Sequence, residues 1–248
     1  MKLKKLLTIK KKKSGRNNSG RITVRHQGGQ EKRYLREIDW TRNMIDVKAK
    51  VIEIGYDPGR TAPIALICYE NGRKSYILAP SNLKVNDVIV SADIAPIKDG
   101  NCICLKNIPV GVPIHGLAFE KDKPAQIIKS AGSAAIIQSI EGDKAIVKLP
   151  SGEIRIFNAN TKATIGQVGN VDHSNQKMTK AGQSRHRGVR PGVRGVAQHP
   201  DSHPHGGGEG RSSIGMNPKT PWGKPAMGKR TRKKKKHSNR LIVSRRKK

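Results

Sequence analysis

The chain has 248 residues, with 50 Lys and Arg against 18 Asp and Glu, a formal net charge of +32. Only 34% of residues are hydrophobic and 3% aromatic, enough for one or two modest cores but not for one globule holding the whole chain. No apolar run reaches the ~18 residues of a membrane-spanning helix, and the basic start MKLKKLLTIKKKK lacks the apolar stretch and cleavage site of a secretory leader.

Self-repulsion on this scale opposes compaction unless a polyanion neutralises it. Nucleic acid is the commonest such partner, with a membrane surface second. Three cysteines, Cys68, Cys102 and Cys104, are an odd number at spacings unsuited to a disulfide framework or an all-cysteine zinc site, so buried, reduced thiols are expected. The charge is uneven: residues 1–42 hold 14 Lys and Arg with 3 acids, residues 43–171 hold 15 with 12, and residues 172–248 hold 21 with 3. This describes a nearly neutral body between two basic extensions.

The body reads as strands. In residues 47–54 (VKAKVIEI), Val47, Ala49 and Val51 alternate with Lys48 and Lys50 until Ile52 shifts the pattern, and the segment ends at the turn Asp57-Pro58-Gly59. Residues 64–69 and 74–78 flank Asn71-Gly72, the pair best suited to a tight hairpin with positive φ at both central residues. A strand is expected over 88–94, then a turn at Asp99-Gly100. Strands over 134–140, 145–149 and 153–157 follow, separated by Gly142-Asp143 and Ser151-Gly152. Short strands without a sustained period of 3.6 predict two small β-barrels rather than a sheet with crossover helices. From Asp172 through Trp222 the chain is dense in Gly, His, Pro and Arg and has too little apolar material to fold alone, and it ends in a polybasic tail containing Arg230, Lys233 and Lys234.

Two clusters carry chemistry. Residues 14–34 set Arg16, Arg21, Arg25, His26 and Arg33 among Gly15, Gly20, Gly28 and Gly29. Glycine lets backbone approach a phosphate chain, and the Arg fork matches phosphate oxygens or a base edge, whereas a flexible linker would lack this density of Arg. Residues 184–211 interleave Arg185, Arg187, Arg190 and Arg194 with glycines, then place His199, His203 and His205 before Gly206, Gly207 and Gly208, with Arg211 just beyond. The three His lack a Cys or a fourth His to complete a zinc site. A general base at His203, oriented by Asp201 or Glu209, needs a rigid apolar pocket that this segment does not supply. An RNA-threading loop fits best, its Gly backbone and His rings packing on sugar and base surfaces. GGGEG lacks the Lys-Ser/Thr ending of a phosphate-binding P-loop. Trp40 and Trp222 can stack on bases, but with so few aromatics the chain is no aromatic-platform binder, and Trp40 reads equally well as core.

The strings GRNNSGRITVRH, AKVIEIGYDPGRTAPIALICY, YILAP, NIPVG, RHRGVRPGVRG and HPHGGGEG together resemble the universal large-subunit ribosomal protein two family, of the bacterial type, from about Ser14 to Lys248. The resemblance implies an all-β fold: a basic N-terminal arm over 1–42, an OB-like RNA-binding domain over 43–107, an SH3-like barrel over 108–171 and an extended basic C-terminal arm over 172–248. It implies a non-enzymatic constituent of the large subunit, binding large-subunit rRNA near the peptidyl-transferase region and supporting subunit assembly and association. The rRNA contacts are expected at Arg16, Arg21, Arg25, His26, Arg33, Arg185, Arg187, Arg190, Arg194, His203, His205, Arg211, Arg230, Lys233 and Lys234. Other ribosomal proteins and the small subunit at the interface are the expected further partners, with no membrane and no homo-oligomer. No cofactor or metal of the chain's own is implied, magnesium being met through the rRNA.

The family usually carries some thirty more residues before the GRNN motif than stand here. It also usually reads Asp-His-Pro-His where this chain has Ser202 before His203, which displaces the acid by one position and weakens any acid–His203 pairing in a catalytic alternative. The short start and the Lys-, Asn- and Ile-rich composition point to a mitochondrial ribosome, with the bacterial cytoplasm or a plastid as alternatives.

Overall fold

A computed structural model describes residues 4–246. The chain forms two compact units, a body of residues 4–10, 32–177 and 237–246 and a second unit of residues 11–31 and 178–236.

In the body, β1 (Leu7–Ile9) and β2 (Tyr34–Arg36) form an antiparallel ribbon. A four-stranded sheet contains β3 (Ala49–Gly55), β4 (Ile64–Tyr69), β5 (Lys74–Leu78) and β6 (Val88–Ile89) in the order β5-β4-β3-β6. A seven-stranded sheet contains β7 (Cys102–Cys104), β8 (Pro113–His115), β9 (Ala135–Glu141), β10 (Lys144–Lys148), β11 (Ile154–Asn158), β12 (Lys162–Ile165) and β13 (Ile242–Ser244) in the order β13-β11-β10-β9-β8-β12-β7. The chain is thus all-β, with an OB-like unit followed by an SH3-like one.

Alternation explains the first sheet. Ala49 and Val51 of β3 point into a core with Ala65, Ile67, Ile77 and Ile89, while Lys50 faces water. The shift at Ile52 is a bulge: Val51 pairs with Ile67 and Glu53 with Leu66, which leaves Ile52 without a partner. The hairpin between β4 and β5 forms where Asn71-Gly72 predicts it, but by a different turn. Only Gly72 has positive φ, at 78°, and the Gly72 N–H donates to the Tyr69 carbonyl. The Asn71 side chain instead accepts from the Arg73 N–H at 3.0 Å.

The strand expected over 88–94 is shorter. After Ile89 the backbone leaves β3, and Val90 and Ala92 exchange hydrogen bonds with Cys102 at 3.0 Å, so the same apolar run crosses from one sheet to the other. The second core gathers Ile103, Leu105, Ile114, Leu117, Ile137, Val147, Phe157 and Ile165, each contributing roughly 1.5–3 kcal/mol on full burial. Between the barrels, Ala62, Leu78 and Val168 pack with Ile38 and Trp40. There the buried Arg42 donates to the Gly100 carbonyl at 3.3 Å, and its own carbonyl accepts from Ser91 at 2.9 Å. β13 brings the end of the chain back to the body, against β11, where composition reads only a polybasic tail.

Cys102 and Cys104 are buried and Cys68 half-buried, and all three are free thiols. Burial first, then the Asp93 carboxylate, pushes the Cys104 thiol up to about 11, which makes it a poor nucleophile. His115 is buried on β8, its Nδ1 2.8 Å from the Gly166 carbonyl, and desolvation lowers its pKa to about 4 against an ordinary 6.5. Between those values the unfolded chain takes up a proton that the folded body refuses, so stability is whole above pH 6.5 and falls as the pH drops towards 4. Urea unfolding of the full chain is expected to lose about 3 kcal/mol through that window from this group alone. His115→Asn keeps a donor to Gly166 without a titrating ring and should remove that part of the slope. An unchanged slope in this variant would show that His115 is not the source.

Candidate nucleic-acid interface

The second unit contains no buried hydrophobic side chain; among its described residues only Gly28, Gly188 and His203 are buried. Backbone hydrogen bonds hold it instead. The short helix α1 (Ala181–Arg187) ends at Gly188, whose φ of 95° turns the chain so that its carbonyl accepts from the Gly28 N–H at 2.9 Å. The Glu31 N–H donates to the His186 carbonyl at 3.1 Å and the Arg190 N–H to the His26 carbonyl at 2.9 Å, while His26 Nδ1 lies 3.1 Å from the Pro191 carbonyl. Two segments some 160 positions apart, 26–31 and 186–191, are thereby joined.

That ladder brings the two Arg clusters together. Arg16, Arg25, His26 and Arg190 line one concavity of about 390 Å³, with no acid in its wall. Arg21, Arg185, Arg187, Arg194, Arg211, Arg230, Lys233 and Lys234 also belong to this unit and are exposed. The unit holds 21 of the chain's 50 Lys and Arg and only 3 of its 18 acids. Arg185 and Arg187 sit in the last turn of α1, where the helix dipole favours a cation. Arg33 stands apart from this group: it lies in the body, half-buried, donating to the Pro58 carbonyl at 3.0 Å.

The histidine loop is defined by where its ring nitrogens go. Lys219 N–H donates to His205 Nε2 at 2.8 Å, so the neutral His205 ring carries its proton on Nδ1, which faces the Ile214 carbonyl at 3.3 Å. His205 N–H donates to His203 Nδ1 at 3.0 Å, which places the proton of neutral His203 on Nε2. In this arrangement His203 offers a donor, not the free lone pair that a general base needs. Asp201 pairs with His199, at 3.2 Å, rather than with His203. Among the described residues no group of three or more His, Cys, Asp or Glu is placed to hold a metal ion. His203 is 8% exposed because it packs on Gly195: a Cβ there would lie 2.5 Å from the ring Cε1. At Gly206 a Cβ would meet the His199 carbonyl.

A second cationic cluster stands on the body at Arg36, Arg60 and Lys129, residues to which sequence reading assigned no contact. Asp57 is fully buried in the Asp57-Pro58-Gly59 turn, accepts from the Gly59 N–H at 2.9 Å, and pairs with Arg36 at 3.1 Å and Arg60 at 3.2 Å. Arg60 and Lys129 lie over the Trp40 ring, 4.9 and 4.3 Å from its centroid. Both have lowered pKa values, first from desolvation, and Lys129 is further lowered by the charge of Arg60. Two cations are crowded against one ring, and the one carboxylate beside them, Asp57, is shared between the Arg36 and Arg60 guanidinium groups. No local pattern signals it, because Arg60 and Lys129 are far apart in sequence and meet only through the packing of the two barrels.

Residues 3–91 match the family model of Ribosomal Proteins L2, RNA binding N-terminal domain, and residues 98–223 match that of Ribosomal Proteins L2, C-terminal domain. The chain belongs to the ribosomal protein L2 family. It is therefore an rRNA-binding structural protein of the large ribosomal subunit, with rRNA and other ribosomal proteins as its partners. In the second unit of this L2-family chain, residues 11–31 lie within the first matched region and residues 178–223 within the second.

The packing of His203 on Gly195 yields a local test. Gly195→Ala should open the loop, raising hydrogen exchange at the His205 and Gly207 amides by roughly 10-fold or more, since a displaced ring forfeits about 1–3 kcal/mol of local order. Gly192→Ala, where a Cβ meets nothing within 4 Å, should leave those amides as they are.

Proposed function

We propose that the second unit is the chain's main rRNA-contacting surface, with Arg16, Arg21, Arg25, Arg185, Arg187, Arg190, Arg194, Arg211, Arg230, Lys233 and Lys234 neutralising phosphates and His26, His203 and His205 packing against the RNA, while Arg33 and, at the Trp40 ring, Arg60 and Lys129 make separate contacts from the body. The observation that carries this reading is the backbone ladder between Gly28 and Gly188, which joins two Arg-rich segments into one surface of almost one sign. Having no apolar core, that unit gains most from a polyanion that cancels its repulsion, and rRNA supplies one.

The reading extends to a place near the peptidyl-transferase region, support of subunit assembly, and contact with the small subunit at the interface. The chain acts there as one copy without a membrane partner, a cofactor or a metal of its own, magnesium arriving with the rRNA. It performs no chemical step, for His203 Nδ1 is already taken by the His205 N–H. The Lys-, Asn- and Ile-rich composition supports a mitochondrial ribosome as its location.

Salt titration tests the electrostatic part. Large-subunit rRNA binding by the full chain should weaken steeply with salt, the log–log slope falling by roughly 0.7–0.9 for each phosphate contact removed. Replacing Arg230, Lys233 and Lys234 by Ser, rather than deleting the tail and with it β13, should flatten the slope by about two to three such steps. A slope equal to that of the parent would remove these residues from the interface. For the chemical question, assembled large subunits carrying His203→Gln should form peptide bonds at the parental single-turnover rate; a loss of roughly 100-fold, the usual scale of acid–base catalysis, would make His203 a catalyst.

A further inference from the structure

Trp222 is the most conspicuous aromatic side chain of the second unit, 71% exposed. It sits at the tip of a small hairpin that its own backbone closes. Lys219 bridges Pro225, Thr220 N–H donates to the Lys224 carbonyl at 2.8 Å, Gly223 N–H to the Thr220 carbonyl at 2.9 Å, and Ala226 N–H to the Pro218 carbonyl at 2.8 Å. The Thr220 hydroxyl accepts from Lys224 N–H at 3.2 Å, and Pro221 fixes φ immediately before the ring. The indole is thus held out on a turn with little freedom of its own, at a cost in exposed apolar area that protein packing does not recover. Arg25, from the other segment of the same unit, lies over the ring with its Cζ 5.3 Å from the centroid. With one face met by a guanidinium and most of its area open, the ring keeps a free face.

We propose that Trp222 is a stacking platform for an unpaired nucleobase of the bound rRNA, with Arg25 holding the ring from its other face. This rests on the reading of the second unit as an rRNA-contacting surface and adds a contact of a different kind. Phosphate contacts give affinity through released counterions; a base on an indole gives affinity that salt leaves alone, and it requires that the base be out of a helix. Trp40 has no such face to offer, being half-buried and packed with Ala62, Leu78 and Val168 beneath Arg60 and Lys129.

The test is binding of the full chain to a large-subunit rRNA transcript at several salt concentrations. Trp222→Ala should weaken binding by roughly 10-fold, within the range measured for one stacked base, and leave the log–log salt slope unchanged. Trp222→Phe should recover most of the loss, and Trp222→Leu, which is apolar but has no ring face, should not. In parallel, the part of the tryptophan fluorescence that disappears in Trp222→Phe should be open to acrylamide quenching in the free protein and shielded once RNA is added. Parental affinity in Trp222→Ala, equal rescue by Leu and Phe, or a lowered salt slope would each overturn the platform; the last would mean that Trp222 only positions Arg25 against phosphate. Failure of the underlying reading looks different: the parent chain itself would then bind the transcript without a steep dependence on salt.

Discussion

Like-charge repulsion is the constraint on which the rest of this structure depends. With 50 Lys and Arg in 248 residues, any compact arrangement must keep cations apart or find something to cancel them. The body does the first: it holds 15 of the chain's 18 acids and its buried apolar residues, and Lys50 of β3 faces outward while Ala49 and Val51 face the core. The second unit cannot do so with 21 cations and 3 acids, and it buries no hydrophobic side chain to offset their repulsion. It is held by backbone hydrogen bonds, which are worth only about 1 kcal/mol each in water. Such a unit gains order as its charge is neutralised, so its shape and its ligand are thermodynamically linked.

The same constraint explains why glycine and histidine dominate where apolar residues are missing. Without a core, close packing has to come from backbone lying on backbone or on a flat ring, as His203 lies on Gly195. The ring nitrogens then act as structural acceptors: His203 takes an N–H from two residues downstream and His205 one from Lys219. An imidazole used in this way is a rigid corner piece. Its chemistry as a base is given up to the fold, which is why a His-rich loop beside many cations need not be a catalytic one.

What the sequence discloses follows from the range of the interaction. Strands β4 and β5 coincide residue for residue with the segments 64–69 and 74–78 that flank Asn71-Gly72, and the break in the alternation of β3 at Ile52 is the bulge opposite Ile67 and Leu66. Those are local patterns: a turn dipeptide between two apolar runs, and an alternation two residues in period. Strands β7, β8 and β12 are too short to show a period, and β13 hides in a polybasic tail because its only sign is Leu241, Ile242 and Val243 among cations. The Asn71-Gly72 turn is found but its type is not, since Asn71 uses its side chain on Arg73 rather than adopting positive φ. Of the site, the Arg clusters are legible by density alone. Their union through Gly28 and Gly188 is not, because a backbone-to-backbone contact leaves no side-chain signature.

The Trp40 site shows the opposite dependence. Arg60 is fixed by the buried Asp57, Lys129 by its donation to the Ala125 carbonyl at 3.4 Å, and both by the ring beneath them, so their geometry is set by the barrels before any ligand arrives. The chain therefore carries two kinds of cationic surface: a few cations prepositioned on a packed body, and many on a unit whose order comes from hydrogen bonds. The first kind gives up little entropy on binding and can select a shape in the RNA; the second gives up more and can follow one. A protein that must recognise a folded RNA and also fill its crevices needs both, and the segregation of acids and apolar residues into the body is what allows one chain to carry them.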